Sequence, residues 1–403
     1  MNLKDDMKEN QEEDYALYTE KVVKNKKKIY KKIVDYFHFI LATVLFGLIA
    51  SLILALIFPK IELSLEKHTE RIELKLNENT KLENQNKQAS GKELYINDGG
   101  SEVLTFSEIE SRAKNSVYRT TSDTDNFVLP AIALAKTDSE IIMLTSSKIV
   151  GDSGKCKVHF ETSSGIRVVP AELILTDQQS GLSLIDISKK TDPSLDFAEV
   201  ETVSLGNSYL LSENSYVVIA GRIGNEVSKI ETVNVYETSN ISLVDMTCDV
   251  YELSAKASNT DFAFLFDRYG NVSGIVRHSD KSENLQALGI SDFKYLIGKM
   301  STGHKIKYLG INGASVTVEL NEMYKMPDGV YVSGVELNSP AYIAGIQVGD
   351  VITGFGGEEV LTIQQFSEKL YNCIDGQNVN IQVKRPSKDE YREITLQAKI
   401  GTR

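Results

Sequence analysis

The longest hydrophobic stretch of the chain covers residues 37–58, which read FHFILATVLFGLIASLILALIF without one charged side chain. A helix rises about 1.5 Å per residue, so this stretch would measure roughly 33 Å and match a hydrocarbon core of about 30 Å. A cleaved signal peptide would have a shorter apolar region and a small-residue cleavage site, which Pro59 and Lys60 do not provide. The pattern therefore predicts one membrane-spanning helix.

A group of lysines precedes this stretch and sets its predicted orientation. They are Lys21, Lys24, Lys26, Lys27, Lys28, Lys31 and Lys32. Positive charge is retained on the cytoplasmic side of a membrane helix. We therefore expect a cytoplasmic N-terminus in the cell membrane and an extracytoplasmic position for everything after Lys60.

Between about residues 106 and 299 the apolar positions form short runs separated by turn residues. The runs are FVLPAIALA, EIIMLT, KVHFE, AELILT, LSLIDI, YVVIAGRI, KIETVNVY, ISLVDM and FAFLFD. Many short strands at this spacing favour a β-barrel or sandwich over alternating strands and helices. At the start of this region FSEIESRAKNSV predicts a helix with Ser107 as its N-cap.

Helical and strand patterns are mixed in the last part of the chain. Ser339 can cap a short helix that begins at Pro340, and Gly345 can end it in the left-handed conformation. The other signals are a hairpin turn at Gly356 and Gly357, a second helix capped by Thr362, and strands near 379–383 and 394–396.

These patterns divide the chain into five parts and predict a mainly β protein with an α+β end. The parts are a cytoplasmic tail (1–36), a transmembrane helix (37–58), an extracytoplasmic stalk or linker (59–102), a β-rich domain (103–300) and a C-terminal domain (301–403). Two folded domains suit a chain of 403 residues with these non-globular parts.

Composition and charge exclude several classes of function. The net charge is −12, and no long basic stripe occurs beyond the N-terminal lysines, so we expect no nucleic-acid partner. The three cysteines are scattered, and the five histidines have no second ligand at metal spacing. We therefore predict no metal site and no cofactor.

Three segments of the β-rich domain resemble the catalytic segments of HtrA/DegP-type serine proteases. Residues 144–150, LTSSKIV, are similar to the family's L-T-N-N-H-V-V, with Lys148 in place of the histidine. Residues 164–185 are similar to the run that carries the catalytic aspartate, where this chain has Gly181. Residues 259–275 resemble the nucleophile loop, and Asp261 stands in the position of the serine. The resemblance implies a trypsin-like double β-barrel.

The three substitutions predict that the inherited catalytic triad is lost. Acyl transfer by this mechanism needs a hydroxyl nucleophile, an imidazole base and a carboxylate that orients the base. Lys148, Gly181 and Asp261 supply none of them. An ion pair between Lys148 and Asp261 across the old site is one structural hypothesis. The fallback is Thr260 as nucleophile with Lys148 as base, because hydroxyl-lysine pairs are a known catalytic class.

The C-terminal domain resembles the PDZ domain of the same family. Residues 308–311, YLGI, are similar to its carboxylate-binding loop, and residues 326–360, MPDGVYVSGVELNSPAYIAGIQVGDVITGFGGEEV, match its pattern nearly residue for residue. In PDZ domains a peptide adds as a strand at a sheet edge beside the second helix. The resemblance implies that Tyr308, Leu309, Gly310 and Ile311 form the peptide site and that the last three provide backbone amides.

The function expected from the sequence is that of a membrane-anchored, proteolytically inactive HtrA-like protein. It would bind protein C-termini or unfolded peptides, in the service of envelope protein quality control, and a homotrimer is an assembly that the resemblance implies. One alternative is an active serine-type endopeptidase with a rearranged catalytic site. Another is a purely structural oligomer whose groove stays unoccupied.

Overall fold

The computed structural model describes ten stretches of the chain. They are residues 73–76, 93–96, 102–123, 127–150, 153–162, 165–189, 196–258, 262–279, 282–388 and 390–403. All belong to the second of two compact units, Thr69–Arg403. None of the helices in these stretches has the length and apolar character needed to cross a membrane. The predicted cytoplasmic tail and membrane helix lie outside the described residues.

Two strands and one helix precede the main body. Strands β1 (Glu73–Leu76) and β2 (Glu93–Ile96) pair in parallel, and the amide of the buried Leu74 donates to Ser301 Oγ at 2.9 Å. The sequence indicated only a linker in this region. The burial of Leu74 depends on a contact with a distant part of the chain, and one apolar residue in a polar segment was too weak a signal to predict these strands.

Helix α1 (Phe106–Ser116) begins two residues earlier than the predicted N-cap indicated. Thr105, and not Ser107, is its N-cap. The Glu108 amide donates to Thr105 Oγ1 at 3.4 Å, and the Thr105 amide donates to Glu108 Oε2 at 2.8 Å. The prediction of Ser107 was wrong because this reciprocal pair satisfies two of the free amides at the helix start.

Six antiparallel strands close the first barrel in the spatial order β3-β4-β5-β8-β7-β6. They are β3 (Val117–Ser122), β4 (Val128–Lys136), β5 (Glu140–Ser146), β6 (Lys155–Thr162), β7 (Gly165–Asp177) and β8 (Leu182–Ser188). A short helix, α2 (Ser147–Val150), follows β5. Most side chains of β4 and β5 are buried, whereas β6 alternates between buried and more exposed positions, as expected of a strand with one face toward water.

The second barrel also has six antiparallel strands, in the order β10-β11-β14-β13-β12-β9. They are β9 (Tyr216–Ile223), β10 (Glu226–Leu243), β11 (Met246–Lys256), β12 (Phe262–Phe266), β13 (Val272–Arg277) and β14 (Asn284–Gly289). All five side chains of β12 are buried. Three 3-10 turns connect elements around this barrel: Phe197–Glu199, Ser208–Leu210 and Ile290–Phe293.

The C-terminal part is a sheet with helices beside it. Its main strand order is β16-β17-β18-β20-β21, so β16 is an edge strand. The strands are β15 (Lys307–Tyr308), β16 (Ile311–Ser315), β17 (Val330–Val335), β18 (Val351–Phe355), β19 (Glu358–Glu359), β20 (Asn378–Ser387), β21 (Glu390–Lys399) and β22 (Gly401–Thr402). The helices are α3 (Lys294–Ser301), which precedes it, α4 (Val318–Tyr324), α5 (Pro340–Ala344) and α6 (Ile363–Tyr371).

The predicted helix ends and turn of this part are confirmed. Ser339 Oγ accepts from the Tyr342 amide at 3.1 Å, and Gly345 ends α5 at a φ of 84°. Thr362 Oγ1 accepts from the Gln365 amide at 3.2 Å and caps α6. Gly356 and Gly357 form the turn between β18 and β19 at φ values of 66° and 88°.

Strands β10 and β11 extend beyond the second barrel as a two-stranded arm, residues 237–249. Strand β9 pairs with β10 only as far as Asn234, and β14 pairs with β11 only from Val250 onward. The register shifts between Val235 and Glu237, where the arm begins. The run ISLVDM was predicted as one strand, and this was wrong. Leu243 pairs with Met246, so the two residues between them form the turn at the tip of the arm.

Candidate functional site

Lys148 and Gly181, the two described residues that the resemblance places in the triad, line one cavity formed by residues of both barrels. The Ser147 amide donates to the Gly181 carbonyl at 2.8 Å and joins the two segments. The cavity measures about 300 Å³, and its lining is Phe127, Leu129, Ser146, Ser147, Lys148, Ser180, Gly181, Phe262, Ile275, Arg277 and His278. The third position, Asp261, lies outside the described residues, as does Thr260. Phe262, the next residue in the chain, lines the cavity.

Neither described position provides the group that triad chemistry needs. The Lys148 side chain is exposed and has no imidazole. Gly181 has a φ of 73°, and a Cβ built there would lie 4.0 Å from Ser147 Oγ. There is space for a side chain at Gly181, but the backbone conformation favours glycine. The predicted ion pair and the Thr260 fallback both involve residues outside the described part of the chain and stay hypotheses.

A hydroxyl-imidazole contact does occur, but at another place. Thr121 Oγ1 lies 3.0 Å from His159 Nε2, between strands β3 and β6. Burial, followed by the charges of Arg119 and Lys157, lowers the pKa of His159. His159 lines a different cavity of about 430 Å³, whose lining includes neither Lys148 nor Gly181.

The four predicted peptide-site residues run from the end of β15 (Tyr308) through the loop residues Leu309 and Gly310 to the start of β16 (Ile311). Gly310 has a φ of 95°, and a Cβ at this position would collide with the Ser339 side chain at the start of α5. The Leu309 and Gly310 carbonyls accept from the Ala341 and Glu336 amides at 2.8 and 2.9 Å. These bonds fix the loop so that the amides of residues 309–311 point to one place.

Those amides converge on a carboxylate that belongs to the chain itself. Asp245, at the tip of the arm, receives the Leu309 amide on Oδ2 at 2.9 Å and the Ile311 amide on Oδ1 at 3.0 Å. The Gly310 amide donates to Oδ1 at 2.9 Å and to Oδ2 at 3.1 Å. Asp245 is only 1% exposed. The loop therefore holds a carboxylate in the manner predicted for a peptide terminus. Tyr308 does not donate its amide to Asp245; its hydroxyl donates to Glu336 Oε2 at 2.6 Å.

The backbone of the arm tip lies as an added strand in the groove between the edge strand β16 and helix α6. The Asp245 amide donates to the Ile311 carbonyl at 2.7 Å, and Val244 forms an antiparallel bridge with Asn312. One residue pair further, Ser242 Oγ accepts from the Gly313 amide at 3.1 Å. On the other side, Ser367 of α6 donates its hydroxyl to the Asp245 carbonyl at 2.5 Å. The tip thus fills the space between the edge strand and α6.

Residues of the first barrel and the C-terminus complete this contact. Gln179 accepts the Val244 amide at 2.8 Å and donates to the Val244 carbonyl at 3.1 Å. The Arg403 guanidinium donates to Gln179 Oε1 at 3.0 Å and lies 3.4 Å from the buried Asp177 carboxylate. Burial raises the pKa of Asp245 to about 6, against the loop amides and the charge of Arg403, which lower it.

The sequence did not point to Asp245, Gln179 or Arg403. Asp245 stands inside an apolar run, and its partners are 64 to 66 residues away in the chain. One available signal was Asp245 itself, because aspartate is depleted in strands and favours turns.

Comparisons with known proteins agree with this architecture. The family model described as PDZ domain matches residues 308–396. The serine protease Do-like HtrA of Bacillus subtilis (strain 168) is 20% identical over 328 residues, which cover 74% of this chain and 70% of the relative. HtrB of the same organism is 24% identical over 292 residues, which cover 66% and 61%. A solved structure of the HtrA-type protease AlgW with a tripeptide gives a TM-score of 0.53 at 19% identity and covers 74% of this chain and 98% of that chain.

The fold thus defines a class of protein: a trypsin-like double barrel followed by a PDZ domain. Within that class the chain is HtrA-like, as its sequence relatives and structural neighbours agree. It spans 70% and 61% of the HtrA and HtrB relatives named above, so their activities are not transferred with the fold.

Proposed function

We propose that the chain is a membrane-anchored HtrA-like pseudoprotease that binds peptide tails through its PDZ domain, in envelope protein quality control. The anchor would be the helix of residues 37–58, and the double barrel and PDZ domain would lie on the extracytoplasmic side. The proposed assembly is a homotrimer. The observation that carries the binding function is the convergence of three loop amides on one carboxylate. Backbone donors in such a cluster suit the free carboxylate of a peptide terminus.

The loss of proteolysis is supported by the exposed Lys148 and the side-chain-free Gly181. An imidazole and a carboxylate are both needed to activate a hydroxyl in this type of site. We therefore predict that the purified full-length chain neither degrades unfolded casein nor reacts with a serine-directed covalent probe. The Thr260→Ala variant should behave identically. Casein turnover that Thr260→Ala abolishes would instead establish the alternative, an endopeptidase with a rearranged site.

Peptide binding can be tested with a probe taken from the arm. The probe is the fluorescein-labelled heptapeptide Thr-Ser-Asn-Ile-Ser-Leu-Val, residues 238–244, with a free terminal carboxylate. Fluorescence anisotropy with the full-length chain in detergent should give saturable binding. The Gly310→Val variant should bind at least ten-fold more weakly, because the new side chain collides with Ser339 and disturbs the amide cluster.

Gly357→Val is the matched control for this experiment. Gly357 also has a positive φ, 88°, but a Cβ there meets no atom within 4 Å. It lies in the hairpin turn and not in the loop. Equal binding by Gly310→Val, Gly357→Val and the unaltered chain would refute the predicted peptide site, and absence of binding in all three would favour the purely structural role.

A further inference from the structure

The arm tip and an incoming peptide need the same donors. Each backbone amide has one hydrogen, and the hydrogens of Leu309, Gly310 and Ile311 are all directed at the Asp245 carboxylate. The Ile311 carbonyl and the Gly313 amide, which would pair with the backbone of an added strand, are engaged by Asp245 and Ser242. A peptide can therefore enter the groove only after the arm tip has left it.

We propose that the arm is an intramolecular ligand of the PDZ groove, so that Asp245 stands in for a peptide carboxylate and peptides bind by displacing it. This inference rests on the proposed peptide-binding function and adds its regulation. The competing partner is a peptide with a free C-terminal carboxylate, since the described loop presents its three amides to that group.

The construction of the arm suits a segment that can leave the groove. Between the barrel and the tip its two strands pair only with each other among the described strands of that sheet. Five consecutive residues of β10, from Tyr236 to Asn240, are exposed. A two-stranded ribbon is marginally stable alone, so most of what fixes the arm is the contact at its tip. The irregular pairing between Val235 and Glu237 marks where it can bend.

Burial of the Asp245 carboxylate has an unfavourable free energy that favours departure of the arm tip from the groove. The Asp245 carboxylate is buried at 1% exposure, and this burial raises its pKa to about 6. Removing a carboxylate from water is unfavourable, and the amides offset this loss only in part. A peptide terminus would meet the same amides without the constraint of the turn, where Asp245 has a φ of 63°.

Residues outside the PDZ domain hold the arm in the groove. Gln179 of the first barrel makes two hydrogen bonds to the backbone of Val244. A peptide that displaced the arm would not need Gln179. Removal of this side chain should therefore weaken the intramolecular ligand while leaving the PDZ groove itself unaltered.

The test compares affinities of the full-length chain and three variants for the heptapeptide probe, beside the same peptide with a C-terminal amide. When an intramolecular ligand occupies a site, the apparent affinity falls by the fraction of open molecules. Asp245→Asn should bind the free-carboxylate probe at least ten-fold more tightly than the unaltered chain, and Gln179→Ala at least three-fold more tightly. Glu237→Gln removes one charge from an exposed position at the base of the arm and should change affinity less than two-fold. The amidated probe should gain nothing.

Each outcome decides the question. The proposal is supported if affinity for the free-carboxylate probe rises most in Asp245→Asn, less in Gln179→Ala and not in Glu237→Gln, and if the loop amides exchange hydrogen faster in Asp245→Asn. Equal and measurable affinity in the unaltered chain, Asp245→Asn and Gln179→Ala would leave peptide binding standing and overturn the role of the arm. Absence of binding in every protein, with the loop amides exchanging fast in Asp245→Asn, would overturn the peptide-binding function itself. If thermal melting shows that Asp245→Asn does not fold, Gln179→Ala alone decides.

Discussion

Single residues explain why the chemistry of the two candidate sites could be predicted unequally. The amides of Leu309, Gly310 and Ile311 were predictable because a short loop and its glycine are local in sequence. The assignment of Lys148 and Gly181 to triad positions also rests on local sequence and stays a prediction. The role of Asp245 was not predictable. No local feature of the sequence distinguishes an aspartate that binds the amides of a distant loop from one that faces water.

The ionisation of Asp245 gives a residue-scale prediction. Burial raises the pKa of this carboxyl from an ordinary value near 3.9 to about 6, so the folded protein binds the proton more tightly than the unfolded chain. By linkage, the contribution of Asp245 to the free energy of unfolding should fall as pH rises from about 4 to about 6 and stay constant above. The full effect is at most about 3 kcal/mol, at roughly 1.4 kcal/mol per pKa unit.

Urea unfolding at pH 4.5, 6.0 and 7.5 measures this effect by comparison with Asp245→Asn, which lacks the titrating group. The other ionisable groups that act on this site are Arg403, Asp177, Tyr308 and Tyr371. They are present in both proteins, so their contributions cancel in the difference. Identical pH profiles for the two proteins would show that Asp245 does not titrate in this range.

Elements were predictable in kind more than in extent. The strand runs other than ISLVDM and the caps at Ser339 and Thr362 are confirmed, because each rests on residues within one turn or strand. The run ISLVDM has the composition of a strand, and only the pairing of Leu243 with Met246 reveals the turn inside it. Strands β1 and β2 depend on a tertiary contact of Leu74, which a local pattern does not contain.

The start of α1 gives a prediction at the scale of elements. Thr105 caps this helix through a reciprocal pair of bonds with Glu108, so Thr105→Ala should lower the free energy of unfolding by about 1 kcal/mol. Ser107→Ala, two residues later, should cost only a few tenths of a kcal/mol because Ser107 is already inside the helix. Urea unfolding of both variants measures the difference. A larger loss in Ser107→Ala would restore the original assignment of the cap.

At the scale of the whole molecule, the fold could be predicted from the sequence and the arrangement of its parts could not. Strand spacing indicated a β-barrel or sandwich, and the resemblance to HtrA/DegP-type proteases implied the two barrels and, through the motif of residues 326–360, the PDZ domain. The contact between them depends on the arm, on Gln179 and on Arg403, which come from three separate parts of the chain. Membrane anchoring rests on residues 37–58 and stays a prediction.

The position of Gln179 has a consequence for communication across the molecule. Gln179 lies two residues before Gly181, which lines the cavity next to Lys148. Its side chain makes two hydrogen bonds to the arm backbone at Val244. Departure of the arm removes the two hydrogen bonds between this side chain and Val244 and leaves its bond from Arg403. Because coupling between two sites is reciprocal, any molecule that settles in the cleft and shifts this segment must alter the affinity of the groove by the same factor. Binding of a molecule in this cleft would then be detectable as a change in peptide affinity at the PDZ domain.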